Sequence, residues 1–126
     1  MVFGTFDILH PGHLYILTEA KKMGDELVVV IARDTTVKTI KNLKPQNDQN
    51  KRLKNIIKLE IADKAIIGNA KDKYQVIRDE QPDIIALGYD QKAFTQDLKK
   101  VFPNIKIVRL GAYKENIYKS SKLRNK

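Results

Sequence analysis

The chain has 126 residues, of which 42% are apolar and 31% charged, a balance typical of one globular domain and not of a disordered protein. Its net charge of +9 favours a polyanionic ligand or partner, although a solvated lysine-rich surface also fits. Without a bilayer-length apolar run, a signal-peptide pattern or any cysteine, we expect a cytoplasmic protein with no disulfides and no thiolate metal site.

The first two predicted strands, Val2–Phe6 and Glu26–Ala32, enclose a predicted helix. The second strand, ELVVVIA, is an almost continuous apolar run, which is typical of a parallel strand buried on both faces. The helix is expected to begin with Pro11 at its first position and to end near Gly24, which would serve as its C′ glycine.

Residues 34–51 form the longest stretch without clear periodicity, and we expect a functional loop there. Residues 38–58 carry seven lysines and arginines against one acid, which favours anion binding. In the next predicted helix, Lys54 and Lys58 lie off the apolar face. That face is formed by Leu53, Ile56, Ile57 and Ile61. The run Lys64–Ile67 is the third predicted strand.

The last third of the chain repeats the alternation. Strands are predicted at Asp83–Gly88 and Ile105–Leu110. Short helices are predicted at Tyr74–Gln81 and Thr95–Phe102, and each is followed by a proline that stops it. Residues 114–126 then carry five basic residues against one acid, a second positively charged segment.

This alternation predicts an α/β fold: one Rossmann-like domain over residues 1–126, with a five-stranded parallel sheet flanked by helices. We expect the strand order 3-2-1-4-5, in which strands one and four are neighbours. Ligands bind such sheets at the carboxyl ends of the strands, where the strand order reverses. The segments GTFD (4–7) and LGYDQ (87–91) would then border the same crevice.

The segment GTFDILHPGH, residues 4–13, contains both histidines of the chain. Its two glycines leave room for backbone to approach a ligand. A helix that begins at Pro11 or Gly12 is expected to direct unpaired N–H groups and its positive dipole end toward the strand tip. His10 just before this helix and His13 in its first turn can donate to the same phosphate. We therefore interpret the segment as a phosphate-binding site.

Two other interpretations of the histidines stay open from the residues alone. They could bind a metal ion, although zinc usually takes a third protein ligand and only Asp7 lies near them in the sequence. They could also be incidental to a helix start. Asp7 fits a second role equally well, as a turn-stabilising carboxylate that accepts backbone N–H bonds.

The segment GTFDILHPGH resembles the GxFDxxHxGH signature of the cytidylyltransferase-like nucleotidyltransferases. Members of that family have a Rossmann-like sheet and transfer a nucleotidyl group from a nucleoside triphosphate to a phosphorylated acceptor. LGYDQ and YKSSKLR (118–124) resemble two further elements of the family, and Arg52 matches an arginine that precedes the second helix in many members.

Longer stretches, among them DKAIIGN, PDIIALGYDQ and RLGAYKENIYKSSKL, are similar to the archaeal-type FAD synthetases, so that the resemblance covers nearly the whole chain. It implies transfer of AMP from ATP to FMN, which gives FAD and pyrophosphate. The alternative is a CTP-dependent glycerol-3-phosphate cytidylyltransferase, because that group shares the same three motifs.

The resemblance also implies roles for individual residues. His10 and His13 would hold the α-phosphate, and Lys38 would be the catalytic lysine, with Lys41 and Lys44 as the other candidates in the basic segment. The other nucleotide-binding residues that it implies are Thr5, Phe6, Pro11, Gly12, Asp90, Tyr118, Ser120 and Ser121. By residue type alone, Tyr89, Phe94 and Tyr113 are candidates for a flavin platform.

Further expectations concern cofactors and partners. Mg²⁺ is expected to be held mainly by the nucleoside triphosphate instead of a protein cage, and its protein ligands are left unassigned. The family by itself suggests a homodimer. A basic nucleic-acid-binding domain is the non-enzymatic alternative, although aromatic residues make up only 7% and no DNA- or RNA-binding motif is present. A nucleotide sensor that binds ATP without turnover is another.

Overall fold

The computed structural model of the chain describes residues 1–41, 45–69, 72, 74–88 and 97–111, with the backbone alone at 39–41. Within these residues, five parallel strands form one sheet: β1 (Val2–Gly4), β2 (Val28–Ile31), β3 (Lys64–Ile67), β4 (Ile84–Leu87) and β5 (Lys106–Arg109). The helices are α1 (Pro11–Lys21), α2 (Asp34–Lys41), α3 (Gln49–Lys58), α4 (Gln75–Glu80) and α5 (Leu98–Val101). No helix within the described ranges is both long and apolar enough to cross a membrane.

The strand order is β3-β2-β1-β4-β5, which confirms the predicted topology. The central strand β1 pairs with β2 on one side, where Gly4 lies beside Ile31, and with β4 on the other, where Val2 lies beside Ala86. The order therefore reverses at β1. A crevice is expected beyond the carboxyl ends of β1 and β4, and α1 begins just beyond the end of β1.

Alternate residues of β2 enter two different hydrophobic cores. Val29 and Ile31 pack with residues of α1 and α3 on one face of the sheet, whereas Val28 and Val30 pack with residues of α4 and α5 on the other. All four residues are buried because helices cover the sheet on both sides. This arrangement explains why the strand is apolar at every position instead of at every second one.

The expectation of a loop over residues 34–51 is wrong at both ends of that stretch. Residues 34–41 form α2, and α3 already begins at residue 49. Asp34 in the first turn favours helix formation through the helix dipole, and Val37 is 3% exposed. Periodicity did not reveal α2 because its eight residues contain only two apolar side chains, too few to define a face.

The first strand and α1 also differ from the prediction. The strand ends at Gly4, not at residue 6, and Phe6 has φ of 52°. The helix begins with Pro11 at its first position as predicted, but ends at Lys21. Its C-cap is a right-handed Lys22, and no glycine in the described ranges has positive φ, so Gly24 is not a left-handed C′ residue.

The buried face of α3 also differs from the prediction. Ile56 is 1% exposed, whereas Ile57 is 55% exposed and Ile61 lies beyond the end of the helix. The fourth residue before Ile56 on the same face is Arg52, which is 0% exposed and lies inside the helix instead of before it. The other predicted elements agree within a few residues; positions 95 and 96 of the last helix lie outside the described residues.

Candidate active site

The two histidines form a reciprocal cap at the start of α1. His10 is the N-cap residue in an extended conformation, and its Nδ1 accepts the N–H of Gly12 at 3.0 Å. The Nδ1 of His13 accepts the N–H of His10 at 3.3 Å. This pattern is that of a capping box, with imidazoles in place of the usual hydroxyl and carboxylate groups.

The same cap brings the two imidazole rings together. Their centroids are 3.9 Å apart with 26° between the planes, which is a stacked arrangement. The ring of Phe6 meets His13 edge to face at 5.3 Å. His10 is exposed and His13 is half-buried, so both rings are accessible to solvent. The prediction that the two imidazoles lie together at the start of the helix is confirmed.

The cap also decides which nitrogen of each histidine donates. A neutral imidazole that accepts a hydrogen bond on Nδ1 carries its proton on Nε2. Because both Nδ1 atoms accept from the backbone of the helix start, both rings carry an Nε2–H group on the edge that faces away from it. Two imidazole N–H donors close together at the reversal point of a parallel sheet suit a phosphate group.

The backbone N–H groups at the start of α1 differ from the expectation. Pro11 has none, the Gly12 N–H is bonded to His10 Nδ1, and the His13 N–H is bonded to the His10 carbonyl at 2.9 Å. The expectation of unpaired N–H groups is therefore wrong at these positions. What remains for an anion is the positive end of the helix dipole and the two imidazoles.

Phe6 holds a strained turn just before the histidines. Its φ of 52° is in the left-handed region, which non-glycine residues with bulky side chains rarely adopt, and its ring is 4% exposed. A Cβ atom on Gly4 would lie 2.6 Å from Phe6 Cε2. The space at Gly4 is thus taken by the Phe6 ring, and not by backbone approaching a ligand.

Asp7 ties this turn to a segment forty residues further along. Its carboxylate accepts the N–H groups of Gln46 and Asn47, each at 2.8 Å. Burial by itself raises the pKa of Asp7, but these bonds, the Asn47 side chain and the Arg52 charge outweigh it, so that the pKa lies below its ordinary value of 3.8. Asp7 accepts backbone N–H bonds as the second interpretation had it, although from a distant segment.

Arg52 lies behind the same turn and is fully buried. It donates to the carbonyl of Thr5, which follows β1, and to the carbonyl of Ala32, which follows β2. Sequence reasoning had only a family match for this residue. It missed the burial because an arginine in a lysine-rich segment looks solvent-exposed.

The remaining predicted site residues divide into two groups. Lys38 is exposed and lies on α2, which begins just beyond the carboxyl end of β2. Nothing in the described contacts joins Lys38 directly to the histidines. Outside the described residues lie Lys44, Tyr89, Asp90, Phe94, Tyr113, Tyr118, Ser120 and Ser121, together with the side chain of Lys41.

The described residues offer no third ligand for a metal ion on the histidine pair. Within the residues that the structure describes, no three His, Asp or Glu side chains converge to hold a metal. The two carboxylates next to the site are already engaged, Asp7 by backbone N–H groups and Asp34 by Arg52. Neither carboxylate is therefore an unengaged ligand for a metal ion.

A groove on the opposite edge of the sheet does not belong to this site. Its lining includes Leu27 and Pro82, which precede β2 and β4, and Ile84, the first residue of β4. The histidines lie beyond the carboxyl end of β1. The two features are therefore separated by the length of the strands.

Comparisons with known proteins identify a family and several similar enzymes. A model of the cytidylyltransferase-like family matches residues 1–126. An FAD synthase of Thermoplasma acidophilum is 47% identical over 131 residues, which cover all of this chain and 91% of that protein. An FAD synthase of Methanosarcina mazei is 47% identical over 116 residues, or 89% of this chain and 76% of that protein.

The fold has a counterpart among solved structures. A crystal structure described as the lipopolysaccharide core biosynthesis protein from Thermoplasma volcanium matches with a TM-score of 0.83 and 44% sequence identity. The match covers 89% of this chain and 94% of that chain.

Proposed function

This chain belongs to the cytidylyltransferase-like family, and from that membership we propose that it transfers AMP from ATP to FMN, giving FAD and pyrophosphate. The stacked histidine pair at the start of α1 carries the proposal, because it presents two N–H donors at the point where the strand order reverses. Support for FMN as acceptor comes from FAD synthases that are 44–47% identical over 89–100% of this chain.

In the proposed reaction, an oxygen of the FMN phosphate attacks the α-phosphorus of ATP in line. A bond forms between that oxygen and the α-phosphorus, and the bond to the bridging oxygen breaks as pyrophosphate leaves. Since no group of the protein needs to become covalently modified, catalysis consists of positioning and charge neutralisation. The Nε2–H groups of His10 and His13 donate to the α-phosphate oxygens, where negative charge develops.

Further residues complete the proposed nucleotide site. Lys38 neutralises phosphate charge from α2, and Thr5 with Phe6 borders the α-phosphate at the strand tip, next to Pro11 and Gly12. Asp90 binds the ribose or the base, and Tyr118 contacts the base. Ser120 and Ser121 hold the leaving pyrophosphate, which is what the resemblance of the C-terminal segment implies.

Mg²⁺ is part of the proposal as an ion that comes with ATP. When bound, it neutralises the triphosphate and favours departure of pyrophosphate. We expect EDTA to abolish turnover and added Mg²⁺ to restore it, measured as pyrophosphate release. Turnover that persists in excess EDTA would remove Mg²⁺ from the proposal.

We also propose a homodimer, as in the family that the sequence resembles. Light scattering behind a size-exclusion column tests this directly. A mass near 29 kDa is expected, about twice the 14.5 kDa of one chain. A mass of one chain across the concentration range of the assay would contradict it.

The test of the reaction is a matrix of two nucleotides and three acceptors. ATP or CTP is combined with FMN, glycerol 3-phosphate or pantetheine phosphate, and pyrophosphate release is followed together with FAD formation by chromatography. We expect ATP with FMN to give the fastest release and one FAD per pyrophosphate.

Each other outcome of this matrix has a definite meaning. Turnover of CTP with glycerol 3-phosphate alone would replace the proposal with the cytidylyltransferase alternative. ATP binding without any turnover would indicate a nucleotide sensor. Binding to nucleic acid that falls steeply with salt, without pyrophosphate release, would indicate a nucleic-acid-binding domain.

A further inference from the structure

Arg52 is the one charged side chain that is completely buried within the described part of the chain. Its exposed fraction is 0%, although it lies on α3 in a segment rich in lysine. A guanidinium group inside a protein needs acceptors for its N–H groups, because desolvation of an unpaired charge is costly. The identity of those acceptors indicates what this residue does.

The side chain of Arg52 donates to four acceptors, which lie in three segments of the chain: residue 5, residues 32–34 and residue 47. Its Nη1 donates to the carbonyl oxygens of Thr5 at 2.9 Å and Ala32 at 2.7 Å, which follow β1 and β2. Its Nε donates to the carbonyl oxygen of Asn47 at 3.0 Å. Its Nη2 donates to Asp34 Oδ1 at 2.7 Å. One side chain therefore joins two strand ends, a loop and the start of a helix.

The contact with Asp34 reaches the helix that carries the candidate lysine. Asp34 is the first residue of α2, and Lys38 lies four residues, or about one turn, later on that helix. The N–H of Asp34 is in turn bonded to Gln49 Oε1 of α3 at 3.0 Å. The start of α2 is thus held to α3 by two bonds.

The contact with Thr5 reaches the other half of the site. Thr5 precedes Phe6, which has left-handed backbone geometry and packs its ring against His13. The carbonyl of Thr5 is the point at which Arg52 holds this turn. Arg52 therefore connects the turn of the histidines to the helix of Lys38.

We propose that Arg52 is a positioning residue for nucleotidyl transfer, which holds the start of α2, and with it Lys38, in place relative to the turn that carries the histidines. This inference rests on the proposed function, because it assigns Arg52 a part in that reaction. Only an arginine supplies a rigid fork with enough donors for these four acceptors. A lysine at this position has one ammonium group and cannot reach all of them.

The test is a double-mutant cycle of Arg52→Lys and Lys38→Ala, measured as pyrophosphate release with ATP and the acceptor that turns over fastest. Lys38→Ala is expected to lower kcat by about 10–100-fold. Arg52→Lys is expected to lower kcat by about tenfold and to raise the KM for ATP by no more than about threefold.

The double variant decides between positioning and a general structural role. If Arg52 acts through Lys38, the double variant falls no more than about threefold below Lys38→Ala, because no lysine is left to misplace. The inference would be overturned if the loss of kcat in the double variant equalled the product of the two single losses. A parental kcat in Arg52→Lys would also overturn it.

Two matched variants separate positioning from loss of stability. Ile56→Val removes a methyl group from the same buried face of α3, and it should lower the thermal midpoint by a few degrees with parental kcat. Arg33→Lys removes a comparable bond, from Arg33 Nε to the Gly68 carbonyl after β3, and should keep kcat within about threefold of the parent. A tenfold loss in both controls would favour a structural role for Arg52.

Asp34→Ala provides a second route if Arg52→Lys does not fold. It removes the bond from Arg52 to α2, together with the first-turn charge of that helix, and leaves Arg52 on its three carbonyl oxygens. We expect a smaller loss of kcat that again does not add to that of Lys38→Ala. A parental kcat for Asp34→Ala would contradict the inference.

The readouts keep this inference distinct from the proposed function. If the parent turns over a different acceptor, FMN transfer is wrong but the cycle is measured with that acceptor. If the parent turns over none, ATP affinity is measured by calorimetry, where each single variant is expected to weaken binding about threefold and the double variant no further. A ninefold weakening in the double variant, or parental affinity in Arg52→Lys, would contradict positioning.

Discussion

At the scale of single residues, His10 and His13 have two tasks that the structure allows one to separate. Their Nδ1 atoms cap α1, while their Nε2–H groups are the proposed phosphate donors. Asparagine is a good N-cap residue, and glutamine is a usual N3 partner in a capping box. His10→Asn and His13→Gln therefore keep an acceptor for the cap but remove the imidazole.

We predict that His10→Asn and His13→Gln each lower turnover by about 10²–10⁴, the range for lost transition-state donors, with little change in thermal midpoint. His10→Ala should lower turnover to a similar extent and also destabilise the fold by about 1 kcal/mol, because the cap is lost. Pyrophosphate release and thermal unfolding measure the two effects. The control is Thr18→Ala on the exposed side of α1, which should keep parental turnover. Parental turnover in His10→Asn and His13→Gln would contradict the assignment of the histidines as phosphate donors.

Asp7 allows a prediction of pH dependence at the same scale. Because its pKa in the folded protein lies below 3.8, the carboxylate contributes stability that is fully present above its unfolded pKa. That contribution is lost as pH falls through the lower, folded pKa. Asp7→Asn has no such proton to bind. We therefore expect the gap in unfolding free energy between parent and Asp7→Asn to be largest near neutral pH.

Urea unfolding at several pH values measures this gap for Asp7. It should shrink as pH falls below about 5, through the unfolded pKa of the carboxyl and on through its lower folded pKa. Asp25→Asn removes an exposed acid and should stay within about 0.5 kcal/mol of the parent at neutral pH. A gap for Asp7→Asn that does not change with pH would show that its carboxylate is not stabilised by Gln46 and Asn47.

At the scale of elements, α3 shows where periodicity alone is insufficient. Ile56 and Ile57 are adjacent apolar residues, and the pattern placed both on the buried face. Successive residues of a helix are about 100° apart, so a narrow contact with the sheet covers one of them and exposes the other. In the structure Ile56 is 1% exposed and Ile57 is 55% exposed, and the buried face continues to Arg52, one turn before Ile56.

We predict a large difference between two alanine variants of this helix. Ile56→Ala should lower the free energy of unfolding by about 2–5 kcal/mol, because it leaves a cavity in the core. Ile57→Ala removes the same atoms from a mainly exposed position and should cost no more than about 0.5 kcal/mol. Urea unfolding measures both, and equal losses would contradict the assignment of the buried face.

At the scale of the whole molecule, the proposed site combines segments that are far apart in the chain. The histidine turn follows β1, Lys38 lies on the helix after β2, and Asp90, which lies outside the described residues, follows β4 in sequence. The order β3-β2-β1-β4-β5 brings the ends of β1, β2 and β4 together. A ligand that spans these segments should therefore stabilise the fold as a whole.

We predict that ATP with Mg²⁺ raises the thermal midpoint of the parent. At 100 times the dissociation constant the gain is about 2.7 kcal/mol, which for a domain of this size corresponds to roughly 8–15 °C. His10→Asn should shift less at the same ATP concentration. An identical shift in that variant would indicate that ATP binds elsewhere, for example at the groove on the amino edge of the sheet.

The sequence determined the fold class and the location of the histidine site, whereas the strand order was an assumption about the fold that the structure confirmed. These features depend on local patterns: continuous apolar strands, a Pro-initiated helix and a motif of ten contiguous residues. It did not reveal α2, which has too few apolar residues to show a period, or the exposed position of Ile57. Both depend on which side of a helix meets the sheet.

Only the tertiary structure decided how the site is held together. Asp7 is bonded to residues 46 and 47, and Arg52 to Thr5, Ala32 and Asp34, across separations of 18 to 47 residues. No local pattern encodes such contacts, because backbone carbonyl groups are present at every position and carry no sequence signal. The histidines can be read from the sequence, whereas the arginine that we propose positions their partner lysine becomes visible only once the chain is folded.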